Sequence, residues 1–238
     1  MGSVETPMSP RSSLSYVALG VGIVASLLAV VALAWAVTRD SESTNVVVGS
    51  GVAASETREL APFSSVDLAG VNDVTIGVGS EQLVTVRADD NLLDLVTTEV
   101  RGGVLVIDQT GSFDTVAPMI VEITIPAVDE IRLSGSGAIA VDGHDLRTLS
   151  VALPGTGAIR AAGTVAMLDV DVAGTGEADL GELVAQNATV AMSGTGAVLV
   201  HVTGTLTAKV SGTGSVVYTG DPDQVYREIT GTGAVVEE

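Results

Sequence analysis

The residues of this chain whose types could do chemistry are few. It has no cysteine, which excludes a thiolate nucleophile, a disulfide and a Cys-ligated metal together. Its two histidines, His144 and His201, stand seven and five residues after the nearest preceding Gly-x-Gly, so they do not stack as a ligand pair and read as surface residues. No G-x-S-x-G elbow, Cys-His arrangement or H-E-x-x-H occurs. One acidic cluster has a regular spacing: Asp169 and Asp171 before a Gly-x-Gly, Glu177 and Asp179 after it. Residues two apart on a strand share a face about 7 Å apart, which could hold a cation or a sugar-directed acid/base pair. Arg160, however, falls in the column of Asp179 one coil away and can neutralise part of the cluster. The patch therefore reads as a solvated, partly paired surface, and no catalytic residue, cofactor or metal ligand is assigned.

Glycine supplies the other regular feature. The phrases SGSGAI, PGTGAI, AGTGEA, SGTGAV, SGTGSV and TGTGAV contain Gly135 and Gly137, Gly155 and Gly157, Gly174 and Gly176, Gly194 and Gly196, Gly212 and Gly214, and Gly231 and Gly233. A Gly-x-Gly can cradle phosphate, but all six copies lack the third glycine of the dinucleotide fingerprint and none is followed by Lys-Ser/Thr. Calcium-binding rolls carry Asp after the glycines, where five copies here carry Ala or Ser. The glycines read instead as structural corners, which require backbone angles or close chain approach that a Cβ forbids. Between them stand Ser136, Thr156, Thr175, Thr195, Thr213 and Thr232, a hydroxyl column that could hydrogen-bond along a stack.

The first glycines recur at spacings of 20, 19, 20, 18 and 19 residues, the mark of a solenoid in which each repeat is one coil. Two residues before the first glycine stand Leu133, Leu153, Val172, Met192, Val210 and Ile229; four before it stand Ile131, Val151, Val170, Val190, Ala208 and Arg227. After the second glycine the alternation resumes with Ile139, Ile159, Ala178, Val198, Val216 and Val235. Each coil thus offers two short strands with one face inward, joined at the corner. The stretch 57–129 lacks the phrase but contains strand-like runs at 74–78, 83–88, 104–108 and 119–126, and is expected to be the irregular first half of the same body.

Composition agrees. Of 238 residues 46% are hydrophobic but only 3% aromatic, so the core must be aliphatic, and the Val, Ala and Gly content favours strands and tight turns over helices. Twenty-nine acids against ten bases give a net charge of −19, which repels phosphate backbones and excludes nucleic acid as a partner.

Location is written at the amino end. Residues 17–37, VALGVGIVASLLAVVALAWAV, form a 21-residue uncharged run between Arg11 and Arg39. At 1.5 Å per residue it makes roughly 31 Å of helix, enough to cross a hydrocarbon core of about 30 Å. The expected order is a cytoplasmic tail over 1–16, a transmembrane helix over 17–37, a polar linker over 38–56 and an extracytoplasmic body over 57–238, with regular coils from about 131. The alternative is a cleaved signal peptide and secretion, since Ala32-Leu33-Ala34 and Ala34-Trp35-Ala36 resemble cleavage sites.

The opening FSSVDLAGVNDVTIGVGSEQLVTVRADDNLLDLVTTEVRGGVLVID, then VEITIPAVDEIRLSGSGAI, then the tandem SGTG coils, resembles the auto-transporter adhesin head family known as the GIN domain, from about Phe63 to Val236. The resemblance implies a bacterial cell-envelope β-solenoid, a right-handed parallel β-helix, and carries no catalytic residues over. The expected fold is all-β, a single-stranded β-solenoid behind one membrane helix. The expected function is a non-catalytic, adhesion-like binding module anchored to the membrane through residues 17–37, with protein or glycan partners at its surface. The alternatives are a scaffold or envelope-stress partner of other membrane proteins and, further off, a glycan-cleaving enzyme. Arg227, in a column of aliphatic residues, is expected to mark the end of the core, because a charge between complete coils would be costly.

Overall fold

The computed structural model describes residues 46–238. The tail expected over 1–16 and the span expected over 17–37 lie outside the described residues, and among the latter no helix is long and apolar enough to cross a membrane. The described body is all-β, interrupted by a single 3-10 turn at Leu93–Leu95. In chain order the strands are β1 (Val46–Val48), β2 (Ala53–Arg58), β3 (Ser65–Leu68), β4 (Asp73–Val78), β5 (Leu83–Asp89), β6 (Val96–Arg101), β7 (Val104–Gln109), β8 (Ser112–Asp114), β9 (Ile120–Ile125) and β10 (Glu130–Leu133). Four long strands follow, β11 (Ala138–Leu153), β12 (Ala158–Val172), β13 (Glu177–Met192) and β14 (Ala197–Val210), and then β15 (Ser215–Thr219), β16 (Gln224–Ile229) and β17 (Ala234–Glu237).

The coils stack as two parallel ladders joined at the Gly-x-Gly corners. Before the corner, Ile131 pairs with Val151, Val151 with Val170, Val170 with Val190 and Val190 with Ala208. After it, Ile139, Ile159, Ala178, Val198 and Val216 form the matching column. All ten side chains are buried, as the period-2 alternation requires of strands with one face inward. Each contributes about 1.5–3 kcal/mol of burial when it is a Val, Leu or Ile, so the array is held by a continuous aliphatic core rather than by any one coil.

Stack order is not chain order in the first half. The β3–β4 coil lies between two later pieces of chain: β3 pairs with β7 on one side and β10 on the other, and β4 pairs with β9 on one side and β11 on the other. Antiparallel strands then close that end, β6 on β7 and β5 on β9, with β2 outside β5. The β6–β7 hairpin turns through Gly102 and Gly103 at φ 61° and 84°, the two positive angles that a two-residue turn of this hand demands.

The linker expected over 38–56 ends early. Val46–Val48 pairs with Ser112–Asp114 and Ala53–Arg58 pairs with Val84–Asp89, so the folded body already includes Val46 and does not start near Thr57. Gly and Ser between strands have the composition of a flexible linker, and only the pairing partners distinguish the two.

Candidate binding surface along the coil corners

At each corner the backbone ladder continues unbroken. In the second copy Gly155 N–H donates to the Leu133 carbonyl at 3.0 Å, Thr156 N–H to Gly135 at 3.1 Å and Ala158 N–H to Gly137 at 3.2 Å. Coil sits so close on coil that a Cβ at Gly155 would collide with the carbonyl oxygen of Gly135, and one at Gly157 with that of Gly137. None of the twelve corner glycines has a positive φ, so close approach and not a left-handed backbone is what demands them. The first coil supplies the control. Its corner, between β3 and β4, carries Asn72 where the next coil has Gly137, and the layer before it crosses by the long excursion 108–119 instead of a corner. Asn72 is buried with both side-chain polar atoms unpartnered among the described residues.

The hydroxyl column faces outward. Ser136, Thr156, Thr175, Thr195 and Thr213 are exposed, and among the described residues no hydroxyl of this column bonds to its neighbour. They line a shallow trough of about 750 Å³ that starts at Val71, has Gly137, Gly157, Gly176, Gly196 and Gly214 along it, and carries Asp73 and Glu177 as its charged groups. Strands about 4.8 Å apart set the repeat of the hydroxyls. The trough can therefore offer an extended ligand a row of donors and acceptors with little charge.

The four acids of the third coil are divided by the corner. Asp169 and Asp171 lie on β12, in the ladder before it, and Glu177 and Asp179 on β13, in the ladder after it. Asp179 stacks on Arg160, with Nε 3.7 Å from Oδ2. Among the described residues no group of three or more His, Asp or Glu could hold a metal ion. His144 pairs with Asp142 at 3.3 Å on the exposed second bend, and His201 lies on β14. Arg160 also lines a second hollow of about 520 Å³, with Asp142, Asp179 and Glu182 around it and Ile76, Val141 and Ala161 beneath.

One polar construction escapes sequence reading. Asp89 is fully buried and accepts N–H bonds from Val116 at 2.9 Å, Ala117 at 3.2 Å and Gly51 at 2.7 Å. These bonds, that of Val116 foremost, hold its carboxyl below the ordinary value against the effect of burial. At the far end Arg227 is exposed, lies 5.2 Å over the Tyr218 ring and donates to its hydroxyl, which in turn donates to Glu237 at 2.9 Å. Burial, followed by the bond to Glu237, holds the Tyr218 phenol above its ordinary value, so it stays protonated and available as donor. The signal for Arg227 is its break in an aliphatic column; Asp89 gives none, being the first of two adjacent aspartates at a strand end.

Similarities to known proteins agree with this geometry. No curated protein matches the chain in sequence. A "putative adhesin" from Bacteroides fragilis superimposes with a TM-score of 0.67 at 19% identity, covering 81% of this chain and 100% of its own. A "putative adhesin" from Parabacteroides distasonis gives a TM-score of 0.46 at 21% identity over 82% of this chain and 100% of its own. A "putative lipid binding protein" from the same organism gives 0.48 at 22% identity, over 82% and 100%. The first shares the fold. The family model described as "Putative auto-transporter adhesin, head GIN domain" matches residues 62–222, more than half of the sequence, and with its corners, ladders and period accounted for, the chain belongs to the GIN-domain family.

Proposed function

We propose that the chain is a non-catalytic binding module, held on the outer side of a bacterial cell membrane by residues 17–37, which lays an uncharged, hydroxyl-rich polymer such as an envelope glycan along its corner trough. The trough carries the reading: five exposed hydroxyls in register, spaced by the strand repeat and free of one another, over a row of glycines that lets a ligand approach the backbone. The overall charge of −19 favours a neutral partner over a polyanion. The adhesin description of the family agrees with a role in surface binding.

The test removes hydroxyls without changing shape. Thr156→Val with Thr195→Val is close to isosteric, and both side chains are exposed, so thermal unfolding should not change. Binding to purified envelope polysaccharide, measured by pull-down and calorimetry, is expected to fall about tenfold, as loss of two hydrogen bonds at about 0.5–1.5 kcal/mol each implies. Unchanged binding by the double variant assigns it to another surface.

A further inference from the structure

The chain has 29 acidic residues, yet residues 45–55, NVVVGSGVAAS, and 115–121, TVAPMIV, carry no charge. The fold brings these two segments together. β1 lies parallel to β8, Gly49 N–H donates to the Asp114 carbonyl at 2.8 Å, and Gly51 and Val116 share the Asp89 carboxylate. The result is a two-stranded ribbon on which Val46, Val47 and Val48 are exposed, with Val52 and Val116 exposed just beyond its ends, all five at 39–66%. β1 alternates Val to both faces, and two strands alone cannot bury such side chains. A cluster of five exposed valines in so acidic a protein is the composition of a contact surface.

We propose that this ribbon rests in the headgroup layer of a lipid bilayer, the one in which residues 17–37 sit in the functional reading on which this proposal depends. The length of the preceding chain selects the occupant. Only residues 38–45 separate Val37 from Val46, and at roughly 3.3–3.6 Å per residue these eight reach at most about 29 Å, so the ribbon cannot leave the neighbourhood of the membrane surface. Depth follows from the backbone. Among the described residues the outer edges of β1 and β8 pair with no further strand, and their N–H and C=O groups would go unsatisfied in hydrocarbon, whereas the headgroup layer supplies water and ester carbonyls. Charge selects the lipid. Asp90 and Asp114 flank the ribbon, both exposed, so a zwitterionic surface is preferred to an anionic one.

Because the chain has no native cysteine, Val116→Cys and, as the distant control, Thr232→Cys each give a single site for a nitroxide label. The full chain is reconstituted in phosphatidylcholine vesicles, floated, and its relaxation by lipid-soluble oxygen and by a water-soluble nickel complex compared. The oxygen-to-nickel ratio is expected to rise several-fold on vesicles at position 116 and to stay at the solution value at 232. Adding Val48→Asp, or replacing half of the lipid by phosphatidylglycerol, is expected to lower the ratio at 116. A chain that floats but shows a water-like ratio at 116 overturns the ribbon contact and leaves the anchoring intact. A chain that does not float overturns both. Protection at 116 that persists in detergent and grows with protein concentration assigns the ribbon to a second copy of the chain and overturns the lipid contact.

Discussion

Asp89 shows what one side chain can organise. It joins the β1–β2 segment, through Gly51, and the turn after β8, through Val116 and Ala117, to the end of β5. Its carboxyl is held below the ordinary value of 3.8, so the clasp contributes its full stability above that value and loses it as pH falls through the lower, folded-state value. Pepsin, active throughout the acid range, is expected to leave residues 46–52 and 115–118 intact at about pH 4 and to cut them as the carboxyl protonates in more acidic solution. Asp89→Asn turns an amide donor toward backbone donors, so its clasp should already be open to protease at neutral pH, with no further acid step. A variant with the wild-type profile would show that the three N–H bonds do not hold the segment.

At the scale of the element, the two ends of each coil obey different rules. The Gly-x-Gly corner is constant because carbonyl oxygens of the coil before it occupy the space of a Cβ. The opposite bend is loose: register irregularities fall between Gly143 and Leu146, between Leu180 and Val184 and between Ala185 and Asn187, and Asp145 adopts φ 58°. The variation in coil length from 18 to 20 residues is therefore absorbed away from the corner, where backbone can bulge into solvent. A glycine inserted between His144 and Asp145 is expected to cost less than about 1 kcal/mol in urea unfolding, since loop length is cheap. The same insertion between Val151 and Ala152 shifts one of the buried residues Val151 and Leu153 to the outer face and is expected to cost at least about 2–5 kcal/mol, the range for losing one large buried side chain. Equal costs at the two places would refute the division into a fixed corner and a free bend.

Residues 46–238 form a stack with two unlike ends. Antiparallel β2, β5 and β6 close one, while the other stops at β16 and β17, where Arg227 and Glu237 replace the aliphatic residues of their columns and are tied to each other through Tyr218. Arg227 is exposed and its guanidinium lies over the Tyr218 ring, so the column ends without burying a charge. It also blunts an open double edge that would otherwise receive another copy. Arg227→Val is expected to fold and to raise light scattering, more so at high salt, which screens the net charge of −19. Val190→Arg, placing the same group at a fully buried position between complete coils, is expected to cost several kcal/mol and to unfold the array. If Arg227→Val is as destabilising as Val190→Arg, or leaves association unchanged, Arg227 is not the cap.

The coils from Ile131 onward were legible in the amino-acid sequence because their contacts are periodic. A coil that meets its neighbours at a constant offset must repeat its residue types, so Ile131, Val151, Val170 and Val190 announced one buried column, and the glycine phrases announced the corners. Arg227 was legible for the same reason, as the break in a column. What repetition could not convey was decided by contacts between residues distant in the chain and met only once. That β3 and β4 are enclosed by later strands, that Val46–Val48 joins Ser112–Asp114, and that Asp89 gathers three N–H groups all depend on pairings without a period. The acidic residues belong to both kinds. The column shared by Arg160 and Asp179 followed from the repeat, whereas the separation of Asp169 and Asp171 from Glu177 and Asp179 onto different ladders follows from the turn of the backbone at Gly174 and Gly176. Residue types along a strand specify which side chains share a face, but the direction in which each face looks is set by how the chain turns in three dimensions.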